Sequence, residues 1–281
     1  ELKISEGSQL IIRSGAQLNL KGTLRLEDNA KLIVEQGAIM NYQAGAKLVL
    51  AGSEAVLELS GQLHLEEESE FSVLHPNAPS GKIQVWSNDV WITGAPGSKI
   101  LLQGDYPQDK LVEVMPNSSF MVGASVTSVE LHSARIQLHQ GALFNCATKF
   151  TAMNVNFDGE EEATITVWKS ALFRDCDLFN LDLLAFQAEE VLRVERCLLE
   201  GCEVQVEGMG YRIYESIFES SCIESNQLAV NSRIVDCSFN GNNSLQTAIS
   251  EFSNISLFVK NTEISNFNSG IIKQNGELKL K

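Results

Sequence analysis

The chain lacks most of the features from which function is usually read in a sequence. No apolar run approaches the roughly 20 residues a membrane-spanning helix needs. The six cysteines, at 146, 176, 197, 202, 222 and 237, contain no CxxC pair, which argues against zinc-ribbon or thioredoxin-like chemistry. The four histidines, His64, His75, His132 and His139, show no HxH or HxxxH spacing. Neither a metal site nor a nucleophile–base triad is indicated by them. Prolines number five, all between Pro76 and Pro116. Positive charge is scarce: 21 Lys and Arg against 36 Asp and Glu leave a net −15. That balance opposes binding to nucleic-acid phosphates or to an anionic membrane surface. It suits a secreted or surface-displayed protein. An initiating Met and a signal peptide are also missing, and the closing GELKLK reads as the opening of another unit. The chain is therefore expected to be a fragment of a longer protein.

What the chain does have is a repeat. Residues 7–68 contain short units that open on a small or polar residue and continue with alternating apolar residues: GSQLII from Gly7, GAQLNL from Gly15, GTLRL from Gly22, NAKLIV from Asn29, GAIMNY from Gly37 and GAKLVL from Gly45. Alternation marks strands with one buried side. The Gly and Asn starts mark bends, because both residues tolerate positive φ. Three units make about 22–24 residues, enough for one coil of a β-solenoid. The expected fold is all-β, a parallel β-solenoid of about 12–13 rungs with little helix, forming one domain over 1–281. At ~4.8 Å per coil the rod is on the order of 60 Å long.

Three zones are distinguishable within it. Residues 1–75 carry the short regular units. Residues 76–125 hold all the prolines, which cannot donate into a central ladder and so mark loops or strand ends. Residues 126–281 have longer coils, in which FRDCDLF (173–179), VERCLLE (194–200), IYESIFE (213–219), IVDCSFN (234–240) and VKNTEIS (259–265) align. The alignment stacks Cys176, Cys197, Ser216, Cys237 and Thr262 in one column, expected to point into the interior. Leu178, Leu199, Phe218, Phe239 and Ile264 form a second column, and Phe173, Val194, Ile213, Ile234 and Val259 a third. The odd offset between the third column and the Cys column predicts a bend or bulge between them. LDLLAFQAEEVLRVER (181–196) is the best helical candidate.

VERCLLEG and IVDCSFNG resemble the loose aliphatic–Cys/Asn–aliphatic/Phe pattern of right-handed parallel β-helix repeat proteins, the pectate-lyase-like superfamily. The GA-x-L-x-[IV] units of the first zone resemble repeats of secreted and cell-surface proteins of Bacteroidota. The resemblance implies a right-handed coil. It does not imply an activity, because that fold hosts lyases, hydrolases, epimerases and adhesins. The NTD, paired-Asp, GHG and RIK signatures of polygalacturonases are absent, so no catalytic residue carries over.

Asp175, Asp177, Asp236 and Arg196 are the catalytic candidates, since glycosidases need two carboxylates and lyases a base beside acidic groups. Yet Asp175, Arg196, Glu215, Asp236 and Asn261 fall in one column and read as a surface charge ladder. Asp175 and Asp236 would lie three rungs apart, about 14 Å, against ~5–9.5 Å in glycosidase pairs. Arg174, Arg193, Arg196, Arg212 and Arg233 read mostly as partners for Glu195, Glu215 or Asp236. Asp158, Glu160 and Glu161 are candidates for calcium, the one cofactor considered, although DGEEE lacks EF-hand spacing. Trp86, Trp91 and Tyr106 are candidate sugar-stacking residues. The leading expectation is a non-catalytic extracellular module: a rigid scaffold, adhesin-like stalk or carbohydrate-binding surface. Its partner would be a polysaccharide or a surface or secretion-system protein. The alternatives are a polysaccharide lyase or glycoside hydrolase with a cleft on the flank, and a protein-docking platform in a surface assembly.

Overall fold

A computed structural model of the chain describes residues 1–281 apart from 53, 75–80, 105–109, 187–190, 209, 227–231, 243–246, 253–255 and 275–276. Thirty-seven short strands form parallel ladders, and no helix occurs among the described residues. The strands stack on three faces. The first is a 12-stranded sheet from Gln9–Ile12 to Glu263–Ser265, and the second a 12-stranded sheet from Gln17–Leu20 to Ser269–Lys273. The third divides into a 3-stranded sheet, Leu2–Ile4, Thr23–Leu26 and Lys47–Leu50, and a 10-stranded sheet from Glu70–Leu74 to Leu278–Leu280. The chain visits the faces in rotation, so each strand pairs with the strand one coil away. This is the β-solenoid that the repeat predicts.

The segment 181–196 is not a helix. Asp182–Phe186 and Val191–Glu195 are strands on the second and third faces. Period-2 burial wins over helical propensity here, because Leu183, Ala185, Leu192 and Val194 all enter the core.

The two predicted apolar columns are present in register. Leu178, Leu199, Phe218, Phe239 and Ile264 are successive partners, as are Phe173, Val194, Ile213, Ile234 and Val259. The first extends upward through Phe157, Ile136, Val112, Ile83, Leu57 and Leu32 to Leu10. One inward position is thus apolar on every coil. In-register stacking also pairs rings with rings: Phe218 and Phe239 stack at 4.4 Å, and Phe120 and Phe144 at 5.1 Å.

Coil length varies mainly at the corners. Asn19 and Asn41 lie 22 residues apart and bond at 2.7 Å. Across the proline zone His64 and Thr93 are 29 residues apart and still meet at 3.0 Å. Pro116 sits in a turn closed by the Ser118 N–H to the Met115 carbonyl at 3.0 Å, and the Pro96 carbonyl accepts the Glu68 N–H at 3.2 Å. The longer coils thus keep their pairing on the first and second faces, with one register shift between Lys110 and Val112.

Phe239→Ala would remove a fully buried ring one coil before the last strand of this stack. The expected loss is about 3–5 kcal/mol, read as a lowered denaturant midpoint. An unchanged midpoint would contradict a shared interior at this coil.

Candidate functional site

The residue before each member of the Cys column is the corner itself. Asp175, Arg196, Glu215, Asp236 and Asn261 have φ of 53°, 52°, 50°, 56° and 48°. Ser133 (45°) and Asn154 (56°) continue the column upward. A single left-handed residue reverses the in–out alternation, which is why Phe173 and Cys176 both point inward across an odd offset. L-residues rarely adopt positive φ, so side-chain bonds between neighbouring coils help to hold the corner. Arg196 donates to both carboxylate oxygens of Asp175 at 2.7 Å, Asn261 donates to Asp236 at 2.9 Å, and Asn154 to Ser133 at 3.2 Å. The Arg196 hydrogen bonds hold the Asp175 carboxyl below the usual range.

This geometry disperses the catalytic candidates. Asp175 and Asp236 occupy one column three coils apart, and Asp175 is bound up with Arg196. Asp177 projects from the first face, opposite Asn156 and Leu198. Arg135 donates to Asp158 at 2.6 Å. Glu160 faces His139 at 3.0 Å and accepts the Gln140 N–H at 3.0 Å, while Glu161 is exposed. No three His, Cys, Asp or Glu side chains converge among the described residues.

The thiol column acts as a corner clamp. Cys176, Cys197, Ser216, Cys237 and Thr262 each donate to the carbonyl two residues earlier, at 3.2, 3.3, 2.8, 3.2 and 3.0 Å. The first four are buried. Thr262, expected inside, is only half-buried, because it leads into the last strand of the first face, Glu263–Ser265, whose outer side carries no further strand in that sheet. Cys202 and Ser221 repeat the clamp at the next corner. Ser216 and Ser221 also accept the N–H of Cys197 and Cys202 at 3.1 and 2.9 Å. All six cysteines are free. Burial pushes Cys146 up to about 12, and Cys202 and Cys237 to about 11.

The aromatic candidates separate. Trp86 follows the strand Lys82–Val85 of the first face, whereas Trp91 lies in Val90–Gly94 on the second, so a corner divides them. Tyr106 lies outside the described residues. The second face carries aromatics that sequence reasoning missed. Its outward column runs from Trp91 through Met121 and Asn145 to Thr166 and Leu184. Trp168, directly after Thr164–Val167, donates its indole N–H to Asn145 at 2.9 Å and packs on Phe186 at 4.9 Å. Trp91 and Trp168 remain 42% and 43% exposed. They stand three coils apart on one outward surface, about 14 Å along the axis. The signal for Trp168 was its place in TITVW, continuing the alternation outward.

Inside the last coils sits an ionisable pair, also missed. Glu251, 1% exposed, accepts the Tyr211 hydroxyl at 2.9 Å. Burial, followed by the charge of Glu251, pushes the Tyr211 phenol well up. In-register Ser225 is buried, with its Oγ unpartnered.

No protein-family model matches the chain, and no curated protein matches it. A solved structure similar to it is the crystal structure of the TibC-catalyzed hyper-glycosylated TibA55-350 fragment, at 10% identity, 99% coverage of each chain and a TM-score of 0.25. A likeness of that size carries no argument.

Two outcomes follow from the corners. Ser216→Ala leaves the buried Cys197 N–H without its acceptor, at an expected cost of about 1–3 kcal/mol in unfolding experiments. Stability should also fall above about pH 8.5. There the unfolded thiols ionise while Cys146, Cys202 and Cys237 stay protonated up to about 11–12; these outnumber Cys197, which its hydrogen bond with Cys176 pushes down, so the native state binds more protons. A flat denaturant midpoint between pH 8 and the folded-state values would overturn the buried-thiol assignment.

Proposed function

We propose that this chain is a non-catalytic β-solenoid module of a secreted or cell-surface protein, a rigid scaffold that presents a carbohydrate-binding surface. The observation that carries the proposal is the outward side of the second face, where Trp91 and Trp168 stay exposed and Asn145 and Phe186 fix the orientation of Trp168. A flat ring held in one orientation stacks on the apolar face of a sugar at little ordering cost, and the neighbouring amide and hydroxyl groups offer hydrogen bonds. The parallel ladder supplies the rigidity, since two faces are continuous 12-stranded sheets and the third is interrupted only between Lys47–Leu50 and Glu70–Leu74. A scaffold role also agrees with the dispersion of the carboxylates: Asp158, Asp175 and Asp236 are each engaged by a residue of a neighbouring coil.

A polysaccharide lyase is the second reading. A cleft of ≈ 250 Å³ brings together Glu195, Arg196, Tyr214 and Glu215. A guanidinium and a phenol beside carboxylates are groups that proton abstraction requires. Against it, Arg196 is engaged by Asp175 and Glu195 by Arg174, at 2.7 Å in each case.

The test is to incubate the chain with a panel of neutral and acidic glycans, scoring both binding and new reducing or unsaturated ends. Binding without cleavage is expected. Trp91→Ala and Trp168→Ala should each weaken binding of a neutral glycan by about 1–2 kcal/mol, roughly tenfold, with little change in stability for the exposed Trp91. New chain ends from any glycan would favour the lyase or a hydrolase. Binding indifferent to both substitutions would remove the second face from the account.

A further inference from the structure

The third face carries a different surface. Arg193, Arg212 and Arg233 are successive in-register partners in its outward column. Like charges directly opposite one another destabilise a sheet. Elsewhere coil-to-coil neighbours are often opposite in sign, as at Asp175–Arg196, Arg174–Glu195, Arg135–Asp158, Lys31–Glu58 and Lys82–Glu113, and the like-charged partners Asp182–Glu203 and Glu200–Glu219 are acidic. Among the described residues, these three arginines have neither an ion pair nor a side-chain hydrogen bond. In a chain of net charge −15, three guanidinium groups in register run against the overall sign.

The column continues with Leu172 above and with Phe258 and Lys279 below. A cleft lies at each end. The upper one, ≈ 460 Å³, is lined by Lys149, Thr151, Ser170, Leu172 and Arg193 among others. The lower one, ≈ 260 Å³, is lined by Ser232, Arg233, Ser256, Phe258 and Lys279. Cations, hydroxyl groups and an apolar side chain therefore recur along one strip.

We infer that this strip, along Arg193, Arg212 and Arg233, binds an extended polyanionic glycan, one carrying carboxylate or sulfate groups along its length. The guanidinium fork matches both anions bidentately. A linear ligand lying along the solenoid meets one fork per coil, every ~4.8 Å, and each anion it supplies relieves repulsion within the column. Leu172, Tyr214 and Phe258, all half-buried on this side, give sugar rings an apolar surface that a purely charged ligand would not use. The net charge of −15 opposes every long polyanion, nucleic acid and glycan alike, so recognition must come from the short-range contacts of the strip. The inference takes its ligand class from the proposal that the chain binds glycans. It uses a separate face, so the two can fail independently.

The experiment measures binding of the intact chain to polygalacturonate (carboxylate), chondroitin sulfate (carboxylate and sulfate), neutral dextran and polyglutamate, at low and high salt. The combined variant Arg193→Gln, Arg212→Gln, Arg233→Gln is compared with Trp91→Ala and Trp168→Ala. Expected results are binding to at least one anionic glycan with an affinity that falls with salt, a loss of about tenfold or more of that binding in the arginine variant, and no effect of the arginine substitutions on any binding to dextran. The two arms identify which anion is read. The arginine variant should melt no lower than the parent, because a repulsion is removed. The tryptophan variants should stay within about twofold of the parent. Arg212→Lys, which keeps the charge and loses the fork, should fall between. Undiminished binding by the arginine variant would overturn the inference, as would failure of both anionic glycans at low salt. Equal affinity for polyglutamate would replace the glycan with an acidic peptide. Arginine-dependent self-association in sedimentation would replace it with a second copy of the chain, and either result overturns the proposal.

Discussion

Every structural property of this chain depends on one constraint: each strand's hydrogen-bonding partner is the equivalent strand one coil away, in parallel and in register. At a repeat of ~4.8 Å a side chain's closest non-local neighbours are fixed by sequence steps of about 19–29 residues, as at Cys197–Ser216 and His64–Thr93. Apolar residues placed in step become a continuous core. Charges placed in step become ladders that attract or repel according to sign. A change of one residue in a strand would exchange the inside for the outside, so variation in length falls mainly at the corners, with one register shift at the start of Lys110–Val114.

The corners are where polar chemistry is needed for the fold itself. A coil must turn three times while its backbone groups stay bonded, and each turn exposes carbonyls to the apolar interior. The thiol and hydroxyl columns meet that need by donating to the carbonyl two residues back. Serine substitutes for cysteine at Ser216 and Ser221 because its oxygen makes the same bond and accepts one more N–H. The cysteine column, with its thiols free, consists of small side chains that fill a corner and carry a proton to a carbonyl.

The fold was legible in the sequence because the core columns contain like residues. Leu178, Leu199, Phe218 and Phe239 can be aligned without a structure, and the register obeys the alignment. The outward columns were not legible in the same way. Trp91 and Trp168 share a surface only after the ladder brings Met121 and Asn145 between them, and no motif joins them in the chain. Assigning Arg193, Arg212 and Arg233 to nearby acidic residues seemed natural because VLRVER and YRIYE place Glu195 and Glu215 close in sequence. The register instead gives Glu195 to Arg174 and stacks the other arginines on each other. Glu251 was overlooked for the converse reason: a carboxylate in TAISE reads as solvent-facing until the pleat turns it inward.

The persistence of a like-charge column is consistent with its exposure. Two unit charges ~4.8 Å apart in water repel by about 1 kcal/mol, and salt reduces this further. A rod with ladders on three faces can absorb such a cost without local distortion, because each strand is also held by the coils on both sides. The same argument explains why a β-solenoid is suited to presenting surfaces. Its interior fixes the backbone of every outward residue, so an unfavourable array on one face does not relax by moving the strands that carry it. An arrangement of charge that a flexible loop would dissipate is here kept at full strength and constant spacing. The contrast between a basic strip on the third face and an aromatic surface on the second follows from two outward columns being free to differ while the inward ones must agree.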